Sequence, residues 1–144
     1  MRRVAVEGCG VDRITAHIVG MHDFRRLQVW QLSRELFVEI NGLTRAFPST
    51  DRGIVAGQLR RSALSISANI AEGCGKNSPK ETIRFLQIAA GSVTETESHL
   101  VLSSDLGYIP PKAAELLLAR ASSIRRMLYR LVKSLEARAP TSDG

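Results

Sequence analysis

Six cations lie between residues 120 and 138, and Glu136 is the one acid in that span. They are Arg120, Arg125, Arg126, Arg130, Lys133 and Arg138. At helical spacing Arg126, Arg130 and Lys133 fall opposite the apolar positions, on a face that solvent would reach. Positive charge at this spacing can bind the phosphates of nucleic acid, with an affinity that depends on salt and tolerates any sequence. The alternative is a solvated face whose cations favour the C-terminal end of a helix.

A second basic group brackets a glycine-rich turn further upstream. Lys76, Lys80 and Arg84 lie there, and Lys80 could bind an anion together with the free N–H groups that begin the next helix. Ordinary loop solubility is the alternative explanation. We expect Arg60, Lys76 and Lys80 to be secondary nucleic-acid contacts. The run at 73–76 lacks the G-x-x-x-x-G-K-[ST] spacing of a phosphate-binding loop, which argues against nucleotide hydrolysis.

One carboxylate falls on an apolar stripe. Glu97 shares its helical angle with apolar residues of the same segment, so we expect it to be buried and to need a partner or a raised pKa. A general base or a metal ligand is one interpretation. We favour a hydrogen-bonded residue that fixes helix register, with Gln58, Asn41 or Thr44 as its partner.

Metal and nucleophile chemistry find little support. Glu95 and His99 are one helical turn apart, which is ligand spacing, but a di-metal bundle requires Glu-x-x-His pairs and the sequence contains none. Cys9 and Cys74 form no CxxC, which predicts free thiols in a reducing compartment. No base accompanies Cys74, and no serine–histidine–acid set is suggested by spacing. We expect no catalytic residue, no metal and no cofactor.

Composition sets wider limits. The chain has 144 residues, enough for one domain, and a net charge of +6 that makes a polyanionic partner plausible. Aromatic residues make up only 5%, which argues against a stacking platform for single-stranded nucleic acid. No apolar run has the length of a membrane span, and the first twenty residues have no signal-peptide core. We expect a cytoplasmic protein without membrane contact.

Four periodic segments are expected to position these residues. The first runs from about Leu27 to Ala46, and the second ends at the Gly73–Gly75 turn. The third begins with a capping box at Ser78–Glu81 and ends near Gly107, and the fourth follows Pro110-Pro111. Four long helices with short connections predict an all-α, up-down-up-down four-helix bundle at 23–138. Residues 1–22 are interpreted as a disordered arm or a non-native start, and 139–144 as a frayed tail.

The segment Gln58–Gly75 has two faces suited to packing, whereas a helix on a free surface needs one. One face is apolar, a second carries small residues, and a polar seam lies beside the first. The seam is expected to be structural and consists of Gln58, Arg61, Asn69, Glu72 and, from the third helix, Glu97. This arrangement predicts a homo-oligomer.

These segments carry a family resemblance. In order along the chain they are F-R-R-L-Q-V-W-Q (Phe24–Gln31), A-F-P (Ala46–Pro48), Q-L-R-R-S-A-L-S-I-S-A-N-I-A-E-G (Gln58–Gly73), R-F-L-Q-I-A-A-G-S (Arg84–Ser92), E-T-E-S-H-L (Glu95–Leu100) and L-G-Y (Leu106–Tyr108). The chain resembles the four-helix bundle family named after the protein encoded in intervening sequences of 23S ribosomal RNA, over about Phe24 to Leu135.

The resemblance implies a homopentamer arranged as a barrel around an axis, with no established enzymatic activity. It also implies distant kinship with the accessory protein of diversity-generating retroelements, a basic pentamer that engages a reverse transcriptase and nucleic acid. Two positions depart from the family pattern: Ser67 stands where proline is frequent, and His99 where glutamine is usual.

We therefore expect a non-enzymatic homo-oligomer that contacts RNA or DNA through basic surface residues and has a possible protein partner. A purely structural or protein-binding oligomer is the alternative. An enzyme using Glu97 or the Glu95–His99 pair is a third hypothesis.

Overall fold

The computed structural model describes residues 18–21 and 23–138, and this part of the chain is all-α, with no strand. Its four α-helices are α1 (Gln28–Thr44), α2 (Gly57–Cys74), α3 (Pro79–Asp105) and α4 (Pro111–Glu136). A short 3₁₀ turn, Phe24–Arg26, precedes α1, and a π-helical turn, Arg52–Ala56, leads directly into α2. None of the helices in these ranges is long and apolar enough to cross a membrane.

Local signals explain where the helices begin and end. Ser78 Oγ accepts a hydrogen bond from Glu81 N at 3.3 Å, and a proline opens the first turn of α3. Gly107 has a φ of +78°, a left-handed conformation that glycine adopts without a Cβ clash. The backbone N–H of Tyr108 then reaches back to Ser103 O at 2.9 Å and closes α3. α4 starts at the next proline pair, as the sequence predicts.

The apolar stripes of the helices meet in one core. Each helix packs mainly on two neighbours: α1 on α2 and α4, and α3 on α2 and α4. The largest fully buried side chains come from all four helices and the flanking turns. They are Ile18, Leu36, Ile40, Phe47, Leu59, Ile66, Ile70, Leu86, Leu100, Ile109, Leu117 and Ile124. Burial of a side chain of this size contributes about 1.5–3 kcal/mol to stability.

Buried hydroxyls form a polar layer between α2 and α3. Thr96 Oγ1 lies 2.9 Å from Ser62 Oγ, and Ser65 Oγ lies 2.8 Å from Ser92 Oγ. Residue numbers rise along α2 as they fall along α3. Ser62 and Thr96 also have backbone carbonyls of their own helices, Leu59 O and Ser92 O, within hydrogen-bond distance. A shift by one turn would break the contacts between hydroxyls of the two helices, so the layer favours one register.

Members of the polar seam expected from the sequence differ in their exposure. Gln58, Arg61 and Glu72 are exposed in the single subunit, so their structural role in an assembly stays a prediction. Asn69 is half-buried and takes part, since its Nδ2 donates to Ser65 O at 2.8 Å and to Ser65 Oγ at 3.0 Å. The packing is set by small hydroxyl residues that attract little notice in a sequence.

The segment before α1 is packed where it is described. Ile18 is fully buried, and Gly20 N donates to Lys76 O at 2.8 Å. Residues 18–21 thus belong to the packed structure, which corrects the disordered-arm interpretation for these positions. The same interpretation of 1–17 and 22, and the frayed tail at 139–144, lie outside the described residues.

Candidate nucleic-acid interface

The outer face of α4 carries the three cations singled out in the sequence. Arg126, Arg130 and Lys133 are all exposed. The guanidinium of Arg126 donates to Ser122 Oγ and Ser123 Oγ, both at 3.2 Å, which holds it along the helix surface. Within the described residues Arg130 has neither an ion pair nor a side-chain hydrogen bond, so its charge is available to a ligand.

The two cations nearer the start of α4 bind other helices instead. Arg120 pairs with Glu39 of α1, and Arg125 Nε lies 3.2 Å from Glu97 Oε1 of α3. The expected partner of Glu97 among Gln58, Asn41 and Thr44 is therefore wrong. Thr44 donates to the backbone of its own helix, and α4 reaches Glu97 first with a longer cationic side chain. Arg120 and Arg125 thus face acids of neighbouring helices, whereas Arg126, Arg130 and Lys133 face solvent.

Tyr129 projects between the exposed cations. It is 63% exposed, and Lys133 Nζ lies 5.3 Å from the centroid of its ring. An open groove of about 490 Å³ runs along this face, and its lining contains three arginines and no carboxylate. The lining residues are Ser122, Arg125, Arg126, Tyr129 and Arg130. Arg125 is paired with Glu97, so Arg126 and Arg130 supply the uncompensated positive charge along this groove.

A second groove of about 390 Å³ adjoins the first, between α3 and α4. Arg125 and Tyr129 line both grooves, so they form the ridge between them. The second groove has apolar walls that include Leu128 and Val132. Lys133 and Glu136 line it towards the C-terminal end of α4. The two grooves therefore differ in chemistry on either side of one aromatic ring.

The upstream basic group occupies the α2–α3 turn. Lys76 Nζ lies 4.0 Å from the Glu72 carboxylate and 5.1 Å from the centroid of the Phe85 ring. Lys80 is exposed in the first turn of α3 and has no ion pair in the described part of the chain. Arg60 is half-buried on α2, which packs mainly on α1 and α3 and not on α4. The structure thus does not bring Arg60 to the α4 face.

The candidate catalytic residues are not arranged as a reactive site. His99 Nε2 lies 3.4 Å from Glu95 Oε1, and no third His, Cys, Asp or Glu side chain joins them among the described residues. Cys74 is a buried free thiol, and burial raises its pKa from 9.0 to about 11, which suppresses the reactive thiolate. Cys9 lies outside the described residues.

Sequence reasoning missed two members of this interface. Tyr129 lies three residues after Arg126 and four before Lys133, so the same helical wheel that selected the cations places it among them. The low aromatic content of the chain argued against a stacking contact, so Tyr129 was not among the predicted residues. The ion pair of Arg125 with Glu97 could not be predicted from neighbouring residues, because Glu97 lies 28 positions earlier on another helix.

The family can now be assigned. A model of the 23S rRNA-intervening sequence protein family matches residues 25–130. The chain belongs to this family. A similar solved structure is the crystal structure of a protein of unknown function from the S23 ribosomal protein family of Bacteroides thetaiotaomicron. It is 29% identical, has a TM-score of 0.69, and the match covers 73% of this chain and 98% of that chain. A search of curated proteins found no match. Neither the family nor the similar structure indicates a reaction.

Proposed function

We propose that this protein is a non-enzymatic homo-oligomer whose α4 face contacts the phosphates of RNA or DNA. The observation that carries the proposal is the separation of cations on α4. Two are engaged by other helices, whereas Arg126, Arg130 and Lys133 face solvent. Arg126 and Arg130 line a groove without carboxylates, and Lys133 lies beside Tyr129 at its edge. Binding of this kind needs positive charge on one face and no catalytic group.

We propose an up-down-up-down bundle as the subunit. Tyr108, between α3 and α4, hydrogen-bonds Asp51, between α1 and α2, so these two connections share one end. Gly20, before α1, bonds Lys76, between α2 and α3, at the other end. The second end is the one that collects Lys76, Lys80 and the last turns of α4, which concentrates positive charge there.

A ring of such subunits, with five as the expected number, is part of the proposal. Exposed apolar side chains on α2 and α3 support association: Leu64 is 51% exposed and Leu102 is 52% exposed. Leu64 lies next to the small exposed Ala68, and this face of α2 is separate from the one that packs in the core. A neighbouring subunit would remove this surface from water.

Salt titration tests nucleic-acid contact. We would measure fluorescence anisotropy of a labelled RNA hairpin and a labelled DNA duplex from about 50 to 200 mM salt. Each phosphate contact contributes about 0.9 to the slope of log K against log salt, so Arg126→Gln, Arg130→Gln and Lys133→Gln together should flatten it by about 2.7. The matched control is Arg61→Gln, an exposed cation on α2.

The result that would contradict the proposal is the absence of RNA and DNA binding at low salt, or an equal effect per charge for the control. A stable particle that binds a protein but no nucleic acid would instead support the purely structural alternative. Light scattering on the same samples measures the number of subunits. A monomer would contradict the oligomer.

A further inference from the structure

The placement of Tyr129 calls for an explanation beyond charge. Among the exposed large apolar and aromatic side chains of the described residues, it is the sole aromatic one. Its hydroxyl has no hydrogen-bond partner within those residues, and Lys133 Nζ lies 5.3 Å from the centroid of its ring. A ring presented to solvent between cations is suited to stack against a planar, electron-rich group attached to an anion.

The ring is flanked by distinct chemistries. On the side towards the start of α4, Ser122, Arg125 and Arg126 line the basic groove. Arg126 and Arg130 are one turn apart, so their side chains leave the helix about 5–6 Å from one another. This separation is comparable with that of consecutive phosphates along a strand. The Tyr129 ring, which could stack on a nucleic-acid base, and the two arginines, which could contact its phosphates, are therefore adjacent on one face of α4.

We propose that the ridge at Tyr129 takes one unpaired nucleotide, whose base stacks on the ring while its flanking phosphates contact Arg126 and Arg130. This inference rests on the proposed function, because it uses the same phosphate contacts. The basic groove beside the ring is open to solvent and has a volume of about 490 Å³.

One base, and not a run of them, follows from the composition. A protein that tracks an extended single strand presents a succession of aromatic side chains, and this chain is 5% aromatic. A single stacked base suits a bulge or a loop within an otherwise paired nucleic acid. The α4 face would thus distinguish nucleic acids by local shape, without reading their sequence.

The test uses two RNA hairpins that differ by one base and no phosphate. One has a single bulged adenosine, and the other has an abasic residue at the same position. Wild-type protein should bind the first about tenfold more tightly, from the usual contribution of one stacked base. Tyr129→Phe should keep this preference and Tyr129→Leu should lose it, without a change in the salt slope. Arg130→Gln should weaken binding of both hairpins equally.

A bulged 2-aminopurine gives an independent signal, because its fluorescence falls when the base stacks on an aromatic ring. Quenching by wild type and Tyr129→Phe but not by Tyr129→Leu supports the inference. Equal binding of the bulged and abasic hairpins, with both weakened by Arg130→Gln, would overturn it and leave the proposed function standing. No binding of either hairpin would overturn the inference, and the proposed function as well if the DNA duplex is not bound either. A changed particle mass for Tyr129→Leu would place the ring in a subunit contact and also overturn the inference.

Discussion

Neutralising Glu97 should increase the affinity of the α4 face for nucleic acid. Glu97 Oε1 lies 3.2 Å from Arg125 Nε and makes no hydrogen bond of acceptable geometry, so the contact is one of charge. Arg125 also lines both grooves. In Glu97→Gln the shape of the side chain is kept while the competing charge is removed. Arg125 then becomes a further cation available to phosphate.

The size of the effect follows from one added ion pair at the surface. Two unit charges 4 Å apart in water attract by about 1 kcal/mol, which corresponds to about fivefold in Kd at low salt. The salt slope should steepen by about 0.7–0.9. The Arg125 side chain is 48% exposed and that of Glu97 is 23% exposed, with Glu97 Oε1 itself buried. Glu97→Gln removes the attraction to Arg125 and the desolvated charge together, so the two effects oppose each other and stability should change by at most about 1 kcal/mol.

Anisotropy titration of the RNA hairpin and urea denaturation measure the two quantities separately. Glu95→Gln is the matched control, because it makes the same charge change on α3 but its carboxylate faces His99 and not an arginine of α4. If Glu95→Gln raised affinity as much as Glu97→Gln, the effect would come from net charge alone. Equal affinity of Glu97→Gln and wild type would refute the role assigned to Arg125.

Three further predictions concern stability and reactivity. Ser62→Ala and Thr96→Val should each cost about 0.5–1.5 kcal/mol in urea denaturation, and the double variant less than their sum, because the bond between the two hydroxyls is lost only once; strict additivity would contradict the pairing. The raised pKa of Cys74 should slow alkylation of the folded protein roughly 100-fold below pH 9. The stability that the neutral thiol contributes should be lost between pH 9 and about 11, since the thiol of the unfolded chain ionises first. Labelling followed by mass spectrometry, with and without urea, measures the alkylation rate, and rapid labelling without urea would argue against burial. Gly107→Ala should destabilise by roughly 1–2 kcal/mol at its positive φ, whereas Gly91→Ala, where an added Cβ meets nothing, should stabilise by up to about 1 kcal/mol; the same sign for both would be inconsistent with the backbone geometry.

Helices and their limits could be read from the sequence because the signals are local. The serine and proline at the start of α3 and the glycine after it act within one turn of the residues they affect. The 3.6-residue apolar period likewise depends on neighbours along one helix. Ends without such a cap were less accurate: α1 stops at Thr44, two residues before the expected Ala46.

Contacts between helices were predicted less well. Glu97 could be recognised as a residue in need of a partner, but its partner depends on which helix lies beside α3 and at what height. The polar layer between α2 and α3 was not predicted for a related reason. Serine and threonine are common on both buried and exposed helix faces, so their positions in the sequence do not mark such a layer. The contacts between hydroxyls of α2 and α3, Ser62 with Thr96 and Ser65 with Ser92, become visible only when the two helices are placed side by side.

The division of cations on α4 joins the fold to the proposed function. Arg125 and Arg126 are adjacent in sequence, so they leave the helix about 100° apart. One turns to α3 and the other to solvent, where serine hydroxyls one turn earlier hold it. A single helix can therefore pair some arginines with acids of neighbouring helices and present others to a ligand. If Arg126→Gln weakened RNA binding while Arg120→Gln mainly lowered stability, these two uses of charge would be separated by experiment. Equal effects of both variants on both quantities would show that α4 does not divide its cations in this way.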